Sequence, residues 1–353
     1  MPDELPHPLL QEDEEQSLCF RGPWAWLVLI LICCIGIGLI MWLFRKCVQG
    51  PYYRKKTRID GKVVIVTGCN TGIGKETALE LARRGGRIYM ACRDAARCEA
   101  ARLEIIERTQ NQNVFNRTLD LASLSSVRQF SERFLAEEQR LDILINNAGI
   151  MATPHKLTVD GFEQQFGVNH LGHFLLTNLL LERLKSSAPS RIVVVSSAAY
   201  ICGRINKDDL NSEKHYSKFL GAYCQSKLAN ILFTRKLAEL LKNSGVTVNC
   251  VHPGIVRTEL GRYSIATHWF NAIWLRVFGC FVKTPKAGAQ TSLRVALDPA
   301  LEKCSGEFYA DSMRFPLLSK AKDKEMADWL WQESEKLVGL QRENAVQTIV
   351  VNQ

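Results

Sequence analysis

Tyr223 and Lys227 stand four residues apart in Tyr-Cys-Gln-Ser-Lys, inside a run that reads as helix, so one helical face presents a phenol beside an ammonium. That pairing suits acid/base chemistry. A free phenol titrates near pH ~10 and is a poor proton shuttle at neutrality, whereas an adjacent cation favours phenolate and draws its pKa toward the working range. The same spacing arises by chance on many helices, where a half-buried tyrosine lies beside a solvated lysine. Which reading holds depends on the elements that must position the pair.

Residues 62–67 (Lys-Val-Val-Ile-Val-Thr) are a short β-branched run of the kind that makes a buried parallel strand. The run leads into Gly68-Cys69-Asn70-Thr71-Gly72-Ile73-Gly74 and then into residues 75–82, whose Ala78, Leu79, Leu81 and Ala82 suit a helix. Strand, glycine turn and helix bring a pyrophosphate to a helix N-terminus, where free N–H groups and the dipole favour negative charge. The spacing is Gly-x-x-x-Gly-x-Gly rather than the commoner dinucleotide spacing, so the surrounding layout carries the reading. A second strand, 87–92, ends at Arg93-Asp94. An acid there usually holds the adenosine ribose hydroxyls, and an arginine accommodates a 2′-phosphate. Arg93 therefore favours NADP(H), with NAD(H) kept open by Asp94 as the less favoured alternative.

Further strands follow at 114–119, 141–145, 191–195 and 246–251, separated by amphipathic stretches such as 126–139 and 172–184. The alternation predicts an α/β fold, a Rossmann-type doubly wound parallel sheet that binds ligands at the carboxyl ends of its strands. Polar clusters fall at those ends: Thr67-Gly68, Arg93, Asp120, Asn146-Asn147-Ala148-Gly149, Ser196-Ser197 and His252-Pro253-Gly254.

On Thr67 to Gly74, Asp120-Leu121, Asn146 to Gly149, Asn169, Ser197, Tyr223, Lys227 and Pro253-Gly254, the chain resembles the short-chain dehydrogenase/reductase superfamily from about residue 60 to about residue 311. Within it, the segments 167–174 (Gly-Val-Asn-His-Leu-Gly-His-Phe), 187–191 and 223–230 resemble the membrane-bound retinol dehydrogenases that act as microsomal retinal reductases. The resemblance implies that Ser197 orients the substrate oxygen and that Tyr223 gives or takes the proton. It implies that Lys227 holds the nicotinamide ribose and stabilises the phenolate, and that Asn169 anchors a water linking Lys227 to solvent. It further implies Gly68, Asn70, Thr71, Gly72, Ile73 and Gly74 around the pyrophosphate, Arg93 on the 2′-phosphate, and Asp120 with Leu121 at the adenine. Asn147, Ala148 and Gly149 would line the ribose, and Pro253, Gly254, Val256 and Thr258 the carboxamide. Cys69 departs from the smaller residue of many relatives.

Plainer readings exist for several of these positions. Ser196 and Ser197 suit a cap, and Asn146-Asn147 suits a turn. His170 and His173 lie three apart without a third ligand at metal spacing, so they read as ordinary core or surface histidines and no metal is expected. The twelve cysteines form no Cys-x-x-Cys pair, and Cys33 and Cys34 lie in an apolar run. They read as reduced thiols, with neither a disulfide framework nor zinc indicated.

Residues 24–44 carry no charge, and as a helix at ~1.5 Å per residue they span about 31 Å, enough for a bilayer core. Trp24, Trp26 and Trp42 lie near the ends of this stretch, as in interfacial belts. Only Arg21 is basic ahead of it, whereas Arg45, Lys46, Arg54, Lys55, Lys56, Arg58 and Lys62 follow, so the expected topology is single-pass with the catalytic domain cytosolic, at the endoplasmic reticulum. The expected layout is an acidic segment 1–23, the anchor 24–44, a basic linker 45–59, the catalytic domain 60–318 and a C-terminal amphipathic helix and tail 319–353. Residues 261–283, with Trp269 and Phe270, read as an aromatic lid over a lipophilic substrate that also touches the membrane. The net charge of +9 suits an anionic cofactor and membrane surface, and no basic nucleic-acid motif is present. The expected activity is NADP(H)-dependent interconversion of retinol and retinal. Steroids, fatty aldehydes or other lipophilic carbonyls are the alternative substrates, a non-catalytic cofactor-binding scaffold is the rival class, and homo-oligomerisation is left open.

Overall fold

A computed structural model describes residues 23–217, 221–261 and 282–340. The chain divides into two compact units between Val48 and Gln49. The first contains helix α1 (Pro23–Gln49), whose apolar side chains face outward. Among the described residues it is the one helix long and apolar enough to cross a membrane.

The second unit is built on strand β1 (Val63–Thr67), in which all five residues are buried. Val63 and Ile65 pack into one apolar layer, and Val64 and Val66 pack into the layer on the opposite face. A strand buried on both faces needs helices on both sides, which is why its sequence is a continuous β-branched run rather than an alternating one. β1 is followed by α2 (Gly72–Arg83), β2 (Arg87–Cys92), α3 (Ala95–Thr109), β3 (Val114–Thr118), α4 (Leu124–Glu137) and β4 (Ile143–Asn146). Then come α5 (Gly172–Leu179), α6 (Leu181–Ser186), β5 (Ser190–Val195), α7 (Gly221–Leu240) and β6 (Val246–His252). The chain closes with α8 (Pro285–Leu297), β7 (Phe308–Ala310), β8 (Met313–Arg314) and α9 (Lys324–Leu337).

The sheet order is β3-β2-β1-β4-β5-β6-β7-β8. All neighbours run parallel except β7 with β8. β1 is flanked by β2 on one side and β4 on the other, with Thr67 opposite Ala91 and Val66 opposite Ile145. The strand order therefore reverses at β1, and the reversal opens a crevice at the carboxyl ends of the strands. This is the doubly wound Rossmann-type fold that the strand–helix alternation predicts.

Local sequence sets the helix starts. Asp94, Ser123, Thr284 and Asp323 each accept a backbone N–H as N-caps of α3, α4, α8 and α9, and Pro285 occupies the first turn of α8. The Asp323 cap explains why the expected C-terminal helix begins at Lys324, after a separate 3₁₀ turn at Ser319–Ala321. The stretch 172–184 is likewise two helices rather than one, hinged at Leu180, and a wide π-helical turn (Gly167–Leu171) precedes it.

Helix α9 is bound from outside to the helices beneath the sheet. Trp331 stacks on Phe233 at 5.9 Å and meets Phe174 edge-on at 4.9 Å, and Ser334 Oγ lies 3.0 Å from His170 Nε2. Truncating this tryptophan leaves a cavity against both phenylalanines. Trp331→Ala is expected to lower stability by roughly 3–5 kcal/mol, and Asp323→Ala by about 1 kcal/mol. Thermal unfolding of the full chain in detergent measures both, and equal small losses would show that α9 is not part of the core.

Candidate active site

Tyr223 and Lys227 lie on the first turns of α7, at the carboxyl end of β5. Both are almost out of water, at 5% and 3% exposure. Lys227 Nζ donates to Val195 O at 3.0 Å, and its charge sits 5.6 Å from the centroid of the Tyr223 ring. The carbonyl at the strand end thus holds the ammonium against the ring. Burial pushes the Tyr223 phenol up to about 12, against the opposing hydrogen bond from Ser197. Burial also brings the Lys227 ammonium down to about 8. The sequence expectation that the neighbouring cation lowers the phenol is corrected here: loss of water raises it, and the group that opposes the rise is Ser197.

β5 runs directly into Ser196 and Ser197. Ser196 Oγ donates to Lys227 O at 2.7 Å, tying the strand end to α7. Ser197 Oγ accepts from Ala199 N at 3.2 Å, so the capping role is real, and its own hydroxyl is directed at the Tyr223 phenol. The next peptide is steadied by a residue outside the expected set, His252, whose Nδ1 accepts from Ala198 N at 3.2 Å.

Asn169 lies in the wide turn Gly167–Leu171, where the N–H of Gly172 reaches back five residues to Gly167. Such turns recur at functional sites. Its Oδ1 accepts from Ile150 N at 2.9 Å, and its Nδ2 donates to Ile150 O and to Ser226 Oγ, each at 3.0 Å. Ser226 Oγ in turn donates to Tyr223 O at 2.8 Å. Asn169 is therefore a brace between the segment after β4 and the start of α7. Gly149 lies beside it: a Cβ there would stand 3.4 Å from Asn169 Oδ1 and 3.6 Å from Lys227 Nζ. Gly149 thus lies within van der Waals reach of both the amide oxygen and the ammonium.

The other end of the crevice fits a dinucleotide. Thr71 is the N-cap of α2 and makes no side-chain capping bond, so the first N–H groups, at Gly72, Ile73 and Gly74, are available to an anion. Gly74 permits the close packing this needs, since a Cβ would come within 2.4 Å of both Gly68 O and Asn147 Nδ2. Asn147 Nδ2 donates to Thr67 O at 2.8 Å, and Asn147 N and Ala148 N both donate to Thr67 Oγ1 at 2.9 Å, drawing residues 147–149 onto the glycine turn that contains Gly68 and Asn70. Thr258 faces Gly72, where an added Cβ would meet its methyl at 3.0 Å, and Val256 packs against α8, so the segment from Pro253 and Gly254 onward returns to the same turn. Asp120 Oδ1 accepts from Ala122 N at 2.9 Å, and the Leu121 side chain is buried in the core.

At the end of β2, Arg93 is exposed and makes no ion pair with a described residue. Asp94 instead turns its carboxylate onto Arg97 N at 3.0 Å as the cap of α3. Cys69 points downward: its thiol donates to Val66 O at 3.0 Å and lies 3.6 Å from the Cys92 sulfur, so it packs beneath the turn, away from any phosphate. Among the described residues no group of histidine, cysteine or carboxylate side chains is arranged for a metal. Trp269, Phe270 and nearly all of the expected lid lie outside the described residues.

Comparison with known proteins agrees with this geometry. A family model described as short chain dehydrogenase matches residues 62–268. Human retinol dehydrogenase 13 is 52% identical over 301 residues, spanning 85% of this chain and 91% of that protein. Human retinol dehydrogenase 12 is 53% identical over 299 residues, spanning 85% and 93%. Among solved structures, an uncharacterised protein from Mycobacterium paratuberculosis is 40% identical, with a TM-score of 0.65 over 82% of this chain and 98% of that one. The Pseudomonas aeruginosa RhlG/NADP active-site complex is 25% identical, with a TM-score of 0.58 over 72% and 95%. With more than half of the chain under the family model and both human enzymes aligned across most of it, the protein belongs to the short-chain dehydrogenase/reductase family of oxidoreductases.

Proposed function

We propose that the protein is an NADP(H)-dependent oxidoreductase of an intracellular membrane that interconverts retinol and retinal, with retinal reduction the favoured direction. The observation that carries this reading is the convergence of Ser197, Tyr223, Lys227 and Asn169 at the strand ends of a chain about half identical to two human retinol dehydrogenases. The preference for NADP(H) is supported by Arg93, which stands exposed at the end of β2, and by Asp94, whose carboxylate is committed to capping α3. The reductive direction is supported by the phenol, which burial holds as a proton donor.

When bound in the crevice, NADPH would supply the hydride that reduces the aldehyde carbon. Ser197, beside the Tyr223 phenol, orients the carbonyl oxygen through its hydroxyl. As negative charge develops on that oxygen in a dry site, Tyr223 donates its phenolic proton, giving the alcohol. Lys227 stabilises the phenolate left behind, and Lys227 and Asn169, both beside Gly149, lie on the route by which a proton returns. The free N–H groups of α2 and the guanidinium of Arg93 hold the phosphates. The helix α1 anchors the chain, and the basic residues after it keep the catalytic domain on the cytosolic side of the endoplasmic reticulum.

Membranes carrying the full chain, assayed with NADPH or NADH against retinal isomers, steroids and aliphatic aldehydes, test the substrate and the cofactor together. Tyr223→Phe is expected to lower kcat/KM by ~10²–10⁴-fold with NADPH binding retained, and unchanged turnover would sink the proton-donor role. Arg93→Ala is expected to raise the KM for NADPH by roughly 10–100-fold while leaving NADH unaffected. Because kcat/KM reports the free enzyme, reduction is expected to decline as pH rises through about 8, where Lys227 loses its proton. A rate that stays flat well above that pH would remove the Lys227 charge from the mechanism.

A further inference from the structure

His173 is buried at 2% exposure on α5, one helical turn beyond Asn169. Its Nδ1 lies 3.1 Å from Asn169 O, and its Nε2 lies 2.9 Å from Thr67 Oγ1. A carbonyl oxygen only accepts, so Nδ1 carries the proton. Burial favours the neutral ring, bringing the imidazole down to about 3, and a neutral ring protonated on Nδ1 offers Nε2 as acceptor only. The hydroxyl of Thr67 must then donate to Nε2. Both lone pairs of Thr67 Oγ1 remain, and they receive the N–H groups of Asn147 and Ala148, each at 2.9 Å. Every hydrogen bond in the chain has one direction: from the 147–148 backbone to Thr67, from Thr67 to His173, and from His173 to the Asn169 carbonyl.

We infer that His173 is a positioning residue, which couples the cofactor-binding turn at the end of β4 to the backbone of Asn169 and through it to the start of the helix bearing Tyr223. The inference rests on the reading of Ser197, Tyr223 and Lys227 as the reacting groups. His173 is out of solvent with both ring nitrogens committed to the protein, and it acts through Asn169, whose side chain grips Ser226 at 3.0 Å. Loss of the imidazole leaves the Thr67 hydroxyl an alternative acceptor, Ile145 O at 3.4 Å, so the cofactor turn survives and the damage falls on the Asn169 side.

The test is a set of full-length variants measured per folded molecule. His173→Leu is expected to lower kcat by on the order of 10–100-fold, with the KM for NADPH within about threefold of wild type. His173→Asn is expected to recover part of that loss, because an asparagine on this helix can donate four residues back, as Asn178 does to Phe174 O at 2.8 Å. In a double-mutant cycle, Thr67→Val and His173→Leu are expected to lower thermal stability by less together than the sum of the two alone. Additive stability losses would overturn the hydrogen-bond chain without reference to any substrate. Coupled stability with an unchanged kcat in His173→Leu would overturn the positioning role and leave His173 a core residue. A wild-type enzyme that binds NADPH yet reduces no carbonyl in the panel would instead sink the catalytic reading on which the inference rests.

Discussion

The exclusion of water from Tyr223 and Lys227 is the constraint on which the site depends. Each is nearly buried, and the cost of charging either one in such surroundings is on the order of 3 kcal/mol more than in water. The phenol is therefore held protonated and the ammonium is only weakly held charged, and every polar contact around them decides which state prevails. Ser197 acts on the phenol in the direction of ionisation, and the Val195 carbonyl gives Lys227 a fixed acceptor. An oxygen that gains negative charge in this setting is stabilised far more by a nearby proton donor and cation than it would be in water. In the proposed reaction, the same burial that makes the pair inert at rest would make it effective on a reacting carbonyl.

Keeping such a pair dry while admitting a large anionic cofactor is a problem of topology. The sheet meets it at β1, where the strand order reverses and the turns after β1, β4 and β5 open onto one crevice. The hydroxyl of Thr67 gathers the backbone N–H groups of Asn147 and Ala148, so the turn after β4 is drawn onto the glycine turn after β1. Asn169 and Ser196 then attach the segments after β4 and β5 to α7. The crevice has an anion-binding end made of backbone donors and a proton-transfer end made of side chains, joined by hydrogen bonds that are all internal to the protein.

Much of this was legible in the sequence because it rests on short-range patterns. A β-branched run into glycines, polar residues at successive strand ends, and Tyr223 four residues before Lys227 are each set by local spacing. What the sequence did not reveal depends on contacts between distant segments. The phenol was expected to be lowered by its neighbour, and it is raised, because burial and the hold of Val195 on the ammonium are properties of the packed domain. Asp94 keeps NAD(H) open in the sequence, and that its carboxylate caps α3 is a matter of local three-dimensional geometry. Cys69 and Cys92 are far apart in the chain but meet at 3.6 Å, because β1 and β2 pair in parallel register. His173 and His252 stand in noted sequence segments, but only their distances to Asn169 and Ala198 give them a role.

An apolar N-terminal helix and a dry site answer the same physical demand. A long apolar aldehyde partitions into lipid, so its concentration in water near a soluble enzyme is small, and under the proposed function a helix long and apolar enough to cross a membrane would keep the chain where such a substrate resides. Once bound, the same apolar body displaces water from the reacting centre, which is the condition under which Tyr223 and Lys227 act most strongly on a developing charge. A small polar aldehyde would bring its own hydration into the crevice and weaken that effect. The proposed preference for a lipophilic carbonyl thus follows from the electrostatics of the pair as much as from the presence of a membrane helix.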